Sequence, residues 1–309
     1  FMCYKRKVAA VVVTYNRVEL LKRAIDALLA QSVELEYIVV VNNNSSDATK
    51  DYLDSNQNKK IMPIHLSTNT GGAGGFSAGI SFAHGLGVDY IWIMDDDAIP
   101  DINALSELLL ADEHLEKKHI ESGFLCSHVV SDDNICMNVP GISKKTNETG
   151  YLDWPAFASV GIVGVDKATF VSVLFRRNVI SEVGLPVKEM FIWGDDTEYT
   201  WRISKRYKCY YVANSIVNHK RVLAKSLSLS VEESISRIPW YGFLYRNSFY
   251  NIRKHGNIKE FLSYLNHVSK DFISILLHSK KYKMKKLYTL FHGVLSGLLF
   301  NPKIDYPKK

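Results

Sequence analysis

Apolar residues recur along this chain in two rhythms, and the alternation between them outlines the fold. Val8-Ala-Ala-Val-Val-Val13 is apolar throughout, the pattern of a strand buried on both faces of a parallel sheet. Thr14-Tyr15-Asn16-Arg17 turns the chain, and Glu19 to Ala30 then carries Leu20, Leu21, Ala24, Ala27 and Leu28 at helical spacing. Tyr37 to Val41 predicts a second strand, and the polar run Asn42 to Asp47 after it can cap a helix over Ala48 to Leu53. Ile61 to Leu66 and Val88 to Met94 predict a third and a fourth strand. Strands alternating with helices imply an α/β fold with a mostly parallel sheet and right-handed crossovers.

The pattern loosens after residue 120. Phe124 to Val130 and Gly161 to Val165 read as strands around a polar stretch from Ser131 to Gly150, and a loop of that length is functional or mobile. Phe170 to Phe175 is apolar, Arg176 to Ile180 begins a short helix ending at Gly184, and Tyr210 to Ala213 is a further strand. From Ser230 the rhythm is helical, with Phe261, Leu262, Leu265, Val268, Phe272, Ile275 and Leu276 at three- and four-residue spacing.

Three stretches carry chemistry. Tyr90-Ile-Trp-Ile-Met94 stops at Asp95-Asp96-Asp97, which places carboxylates at the carboxyl end of a strand, where open α/β sheets put their ligands. Pro100 is expected to stop the strand from continuing. Three acids within one turn repel each other unless a cation joins them, and hard oxygen ligands suit Mg²⁺ or Mn²⁺. The plainer account is a solvated turn, or caps for a helix starting near Asp101. The second stretch, Asn69-Thr-Gly-Gly-Ala-Gly-Gly-Phe-Ser-Ala-Gly79, places four glycines in five positions before a helix carrying Ile80, Phe82 and Ala83. Backbone N–H groups at such a helix start can hold an anion, although the spacing matches neither a Rossmann nor a P-loop fingerprint; tight helix packing is the alternative. The third is Met190-Phe-Ile-Trp193-Gly-Asp195-Asp196-Thr-Glu198, where helix capping accounts for one acid but not for two beside a Trp-Gly turn. His219, alone in its surroundings, is a weak ligand candidate by itself.

Charge adds a boundary. Residues from Arg221 onward hold 16 Lys and Arg against 5 Asp and Glu, whereas the first 220 hold 22 against 27. The chain is therefore expected to divide into 1–220 and a basic, mostly helical 221–309. Lys280-Lys-Tyr-Lys-Met-Lys-Lys286 and the apolar run from Leu287 to Phe300 suit either an ordinary helical packing region or an interfacial membrane contact. Basic charge alone does not indicate nucleic acid, given the acidic first part and no recognition motif. Cys3, Cys126, Cys136 and Cys209 are scattered without a CxxC pair, which argues against zinc or a disulfide framework and suits a reducing compartment. No leader peptide is visible and no run of 18 apolar residues exists, so the expected location is cytoplasmic, with peripheral contact on the inner face of the cell membrane.

Taken together, in the order strand, turn, Asn-rich turn, Gly-rich run, Asp-Asp-Asp and Trp-Gly-Asp-Asp-x-Glu, residues 8 to 220 resemble the family 2 inverting glycosyltransferases of GT-A fold. Within them the chain looks most like the galactofuranosyltransferase and rhamnosyltransferase branch. The resemblance implies a nucleotide site at Thr14, Tyr15 and Asn16. Asn42 stands there where many members carry Asp. Asn69 and the run containing Gly71, Gly72 and Gly74 would border the donor sugar and diphosphate. Asp95 and Asp97 match the DxD acids, with Asp96 between them, and His219 matches a histidine completing the metal site. Asp196 matches the catalytic base, with Asp195, Trp193, Trp154 and Glu198 about the acceptor. The implied activity is metal-dependent, inverting transfer of galactofuranose from UDP-galactofuranose to a hydroxyl of a bacterial surface glycan or lipid-linked glycan. The alternatives are rhamnosyl transfer from dTDP-rhamnose, or a non-catalytic nucleotide-sugar-binding protein. A nucleotidyltransferase would show a basic Gly-rich loop after the first strand, and Thr14-Tyr15-Asn16 is not one. The oligomeric state is left open.

Overall fold

A computed structural model describes residues 6–220 and 228–308. The sequence boundary at 220/221 meets the stretch 221–227, which, like Cys3, lies outside the described residues. The chain runs β1 (Val8–Thr14), α1 (Val18–Leu29), β2 (Tyr37–Asn42), α2 (Thr49–Ser55), β3 (Ile61–His65), α3 (Gly71–Gly85), β4 (Tyr90–Asp95), β5 (Ala98–Pro100) and α4 (Ala104–Glu116). It continues through β6 (Ser122–Val130), β7 (Gly141–Ile142), β8 (Ile162–Lys167), β9 (Val173–Arg176), α5 (Arg177–Val183), α6 (Asp195–Ser204) and β10 (Lys208–His219). Three helices close it: α7 (Trp240–His255), α8 (Ile258–His278) and α9 (Lys283–Leu299).

The strands form one mixed sheet in the order β3-β2-β1-β4-β9-β6-β10-β8-β7, with β5 paired to β10. β1, β2, β3 and β4 are mutually parallel, and the all-apolar β1 explains why. Its even positions, Val8, Ala10 and Val12, pack with Leu21, Ile25 and Leu28 of α1 and Leu105 and Leu108 of α4. Its odd positions, Ala9, Val11 and Val13, pack under Phe76 and Ile80 of α3 and Tyr199 of α6. Both faces are covered, so each strand side chain contributes ~1.5–3 kcal/mol of apolar burial.

Two expectations change here. The glycines at 71–75 are the first turn of α3 rather than a loop before it. A Cβ on Gly75 would lie 2.5 Å from Val13, and one on Gly79 2.4 Å from Val11, so these glycines let α3 settle on β1. Pro100, expected to end strand structure, instead closes the short antiparallel β5. A proline is tolerated at such an end because the N–H it lacks is not needed by the ladder. That strand matters for the site, because its register sets His219 opposite Ala98, one residue from Asp97.

The carboxyl ends of β1, β2 and β4 lie side by side, with Thr14 against Asn42 and Val13 against Asp95. Two antiparallel pairings, β4 with β9 and β9 with β6, followed by parallel β6–β10, bring β10 into the same direction as β4. His219 at the end of β10 therefore shares the edge that carries Asp95.

Candidate active site

Three adjacent aspartates meet three different fates. Asp96 is 3% exposed and accepts a hydrogen bond from Thr14 Oγ1 at 2.7 Å and one from Arg17 Nη1 at 3.2 Å. Burial still lifts its carboxyl to about 6, against the pull of Arg17 and Thr14. Asp97 accepts from Arg17 at 2.9 Å and faces His219 Nε2 at 3.1 Å. Despite burial, the His219 and Arg17 contacts hold it below the usual carboxylate range. Asp95 is pushed well above that range by burial and then by the charges of Asp97 and Asp96. Asp195 adds to that repulsion, so the second acidic cluster lies within electrostatic reach of the first.

Ligand atoms of Asp95, Asp97 and His219 all lie within 4.8 Å of one another. The donor set suits a divalent cation. His219 Nδ1 sits 2.9 Å from Asn138 Oδ1, an acceptor, and a hydrogen on Nδ1 would leave Nε2 available as a ligand atom. Nε2 lies 3.1 Å from an Asp97 oxygen, so the imidazole and the carboxylate present their ligand atoms to the same space. Two hard carboxylates and one imidazole fit Mn²⁺ or Mg²⁺, with open positions left for other oxygen ligands.

The second cluster sits on a strained approach. Phe191, Trp193 and Gly194 all have positive φ (65°, 60° and 94°), and the chain enters α6 directly at Asp195. Asp195 is 7% exposed and pushed up to about 8, by burial first and by the Asp196 charge second. Asp196, more accessible, is also raised by burial, and its Oδ1 accepts from the Thr197 N–H at 2.6 Å. Two helices support this turn. Gly71 of α3 lies so close that a Cβ there would stand 2.0 Å from the Phe191 carbonyl oxygen, and the Ala73 N–H donates to that carbonyl. From α7, the buried Asn247 directs its amide at the carbonyls of Met190, Ile192 and Trp193, at 3.0, 3.1 and 2.8 Å. Asn251 donates to the Gly194 carbonyl at 2.8 Å.

The remaining candidates divide. Tyr15 is 45% exposed beside the acid turn, and Trp193, half-buried, meets Tyr241 and Trp240 with ring centroids 5.2 and 6.5 Å away. Gly72 begins α3 with open space where a Cβ would be. Thr14 acts on Asp96. The other candidates are engaged within the protein. Asn16 spends its Oδ1 on the backbone of Ser46 and Asp47, and Asn69 spends its own on Gly71 N. Asn42 is buried, with its amide bonded to Ser45 N and His65. These three shape loops, as Asn side chains commonly do in turns. A Cβ on Gly74 would clash with Thr70, so that glycine serves packing. Glu198 is 1% exposed in a network with Arg202 and His255, which holds it below the ordinary range despite burial. Trp154 packs at Gly164, which pairs with Tyr210, roughly 30 Å along β10 from His219 at the usual strand rise.

Arg17, Asn138, Asn247 and Asn251 went unassigned in the sequence. Arg17 had a signal, a lone cation closing the first turn ahead of an acidic triplet. The asparagines had none, because their roles come from long-range contacts alone.

The family model described as glycosyl transferase family 2 matches residues 9–120, a span that holds Thr14 and the acid turn and stops before Asp195 and His219. Galactofuranosyltransferase GlfT1 of Mycolicibacterium smegmatis is 29% identical over 207 residues, covering 65% of this chain and 67% of the relative. The protein of that name from Mycobacterium tuberculosis is 30% identical over 207 residues, covering 63% of this chain and 64% of the relative. The chain thus spans about two thirds of the length of these relatives. Among solved structures, the mannosyltransferase PcManGT from Pyrobaculum calidifontis, in complex with GDP-Man and Mn²⁺, superposes with a TM-score of 0.56 at 13% identity, covering 96% of this chain and 87% of that one. That likeness establishes a GT-A fold.

Proposed function

We propose that this chain, whose residues 9–120 match the family 2 glycosyltransferase model, is a transferase that moves galactofuranose from UDP-galactofuranose to a glycan hydroxyl with inversion. The observation carrying this reading is the convergence of Asp95, Asp97 and His219 within 4.8 Å, beside a second acid pair close enough to raise Asp95. A pure binding module has no use for the second pair.

Residues 1–220 are taken as the catalytic domain and 221–309 as its basic helical continuation. In this reading the donor nucleotide lies at the carboxyl ends of β1, β2 and β4, beside Tyr15. Thr14 and Arg17 brace Asp96, which keeps the turn between β4 and β5 closed while Asp95 and Asp97 face inward. Asp95, Asp97 and His219 hold the divalent cation, and Asn138 fixes the imidazole so that Nε2 is the ligand. A cation held there would supply positive charge to offset that of the departing nucleoside diphosphate. Asp196 takes the proton from the acceptor hydroxyl, and burial favours that task by raising its basicity. Asp195, at about 8, keeps its own proton at pH 7 and so spares Asp196 an adjacent negative charge. Attack from the face opposite the leaving diphosphate inverts the anomeric centre. Trp193 offers a ring against which the acceptor sugar can stack. The acceptor is placed among surface glycans, lipid-linked ones included, at the cytoplasmic side of the membrane.

The test is a donor screen with Mn²⁺, following thermal stabilisation and slow donor hydrolysis. Stabilisation by UDP and UDP-galactofuranose is expected. Response to dTDP-rhamnose alone would keep the transferase and replace the donor. No response to any nucleotide sugar, with or without metal, would remove the catalytic reading.

A further inference from the structure

The last two helices expose more apolar surface than packing requires. On α9, Met284, Tyr288, Phe291, Leu295 and Leu298 follow a 4-3-4-3 spacing and are each more than half exposed, from 52% to 76%. The opposite side of α9, with Leu290, Gly293 and Gly297, is the side packed on α7, where a Cβ on Gly297 would lie 2.8 Å from Phe249. On α8, Leu262, Leu265, Ile273 and Leu276 make a second exposed row beside the packed Tyr264 and Ile275. The rows meet where Phe272 of α8 and Phe291 of α9 stand edge to face, 5.6 Å between centroids. One continuous apolar surface results, and soluble monomers rarely leave such a surface uncovered.

Charge indicates what covers it. The turn joining the two helices and the first turn of α9 carry exposed Lys280, Lys281, Lys283 and Lys285, and residues 221–309 hold 16 Lys and Arg against 5 Asp and Glu. A second copy docked through the same rows about a two-fold axis would bring this excess positive charge against itself. An anionic surface would be attracted to it. No helix among the described residues is long and apolar enough to cross a membrane, so these helices would lie in the plane of a bilayer rather than through it. Tyr282 and Tyr288, both exposed, belong to the residue type that settles at the headgroup level.

We propose that the exposed apolar rows of α8 and α9, with the lysines of the turn between them, dock this chain on the surface of a bilayer containing anionic lipid. The docking surface does not use the acid turn, so it stands whether or not the galactofuranosyl reading holds.

The experiment is co-sedimentation of the full chain with phosphatidylcholine vesicles and with vesicles containing phosphatidylglycerol, at low and high salt, alongside light scattering for oligomeric state. Phosphatidylglycerol vesicles should bind it, with loss at high salt. Each of Lys280→Gln and Lys283→Gln should lower the partition about fivefold. Phe291→Ser combined with Leu295→Ser should lower it by more than about tenfold. All four positions are exposed, and an unchanged circular dichroism spectrum and melting temperature would show that the variants stay folded. Binding that ignores lipid charge and these substitutions would overturn the proposal. So would a dimer without vesicle binding that Phe291→Ser and Leu295→Ser convert to monomer, because the rows would then belong to a second copy. A monomer that binds no vesicle also refutes it.

Discussion

Replacing Asn247 by leucine tests whether the C-terminal helices govern the proposed base. Leucine keeps the volume and removes an amide aimed at three backbone carbonyls of residues 190–193. Phe191 and Trp193 sit in left-handed conformations that cost ~1–2 kcal/mol per residue, so the turn stores ~2–4 kcal/mol. The two amide hydrogens contribute ~1 kcal/mol each, and orphaning buried carbonyls costs ~1–3 kcal/mol more. Restraint and strain are therefore of similar size, and without the amide the turn relaxes. Released strain offsets part of the lost bonding, so urea unfolding should show a loss below ~2 kcal/mol. Turnover should suffer more, because displacing a base by 1 Å costs up to ~100-fold. The expected result is kcat down by ~10–100-fold, UDP affinity by calorimetry within about twofold, and faster amide exchange from Ile192 to Asp195. Faster exchange with unchanged kcat would refute the link between this turn and catalysis. Unchanged exchange would refute the clamp itself.

The other predictions are local. Asp196→Asn should lower kcat by more than about 10³-fold with donor affinity kept, whereas Asp195→Asn, which preserves the neutral form, should retain most turnover; the reverse ranking would exchange their roles. Asp97→Asn should abolish stabilisation by Mn²⁺ in a melting assay, and Asn138→Ala should weaken Mn²⁺ affinity by about 10–100-fold through the imidazole; equal affinity in both variants would empty the proposed site. Asp195, raised to about 8 in the fold against 3.8 unfolded, binds a proton more tightly when folded. Its contribution to stability is present below pH 4 and lost as pH rises toward 8, so Asp195→Asn should flatten the decline in unfolding free energy across that window.

The sheet was legible because β1, β2 and β4 are apolar or aromatic at every position before their last, a pattern that burial on both faces explains. The acid turn was legible for the same reason: carboxylates after such a strand have nowhere to go but its end. What sequence could not show was the direction of each side chain. Asp95, Asp96 and Asp97 are neighbours in sequence, yet one faces inward, one is braced by Thr14 and Arg17, and one meets His219. Turn geometry decides that, and β5, hidden by the assumption that Pro100 ends strand structure, supplies the turn. The asparagines are ambiguous for a related reason. Asn16, Asn42 and Asn69 stand at sheet ends where ligands bind, but Asn also builds turns with its own amide, and residue type does not separate the two uses. Glu198, three residues after Asp195, resembled a third active acid until α7 supplied His255 as its partner.

Charge and strain at this site act on the same neighbours. Asp95 is raised by burial, by Asp97 and Asp96, and by Asp195 from the second cluster, whereas Asp195 is raised by burial and by its own neighbours Asp196 and Glu198. A cation among Asp95, Asp97 and His219 would offset the repulsion within the first cluster, to which Asp195 also adds. The turn bearing Asp196 adds a second dependence. It is held open by α3 on one side, through Gly71, and by α7 on the other, through Asn247, and neither helix alone satisfies its carbonyls. α7 in turn is packed by α9, whose outer face is the apolar row. A surface that presses on α9 therefore acts one helix away from the base. For a transferase whose acceptor is presented at a bilayer, that arrangement would let docking stiffen the turn that takes the acceptor's proton.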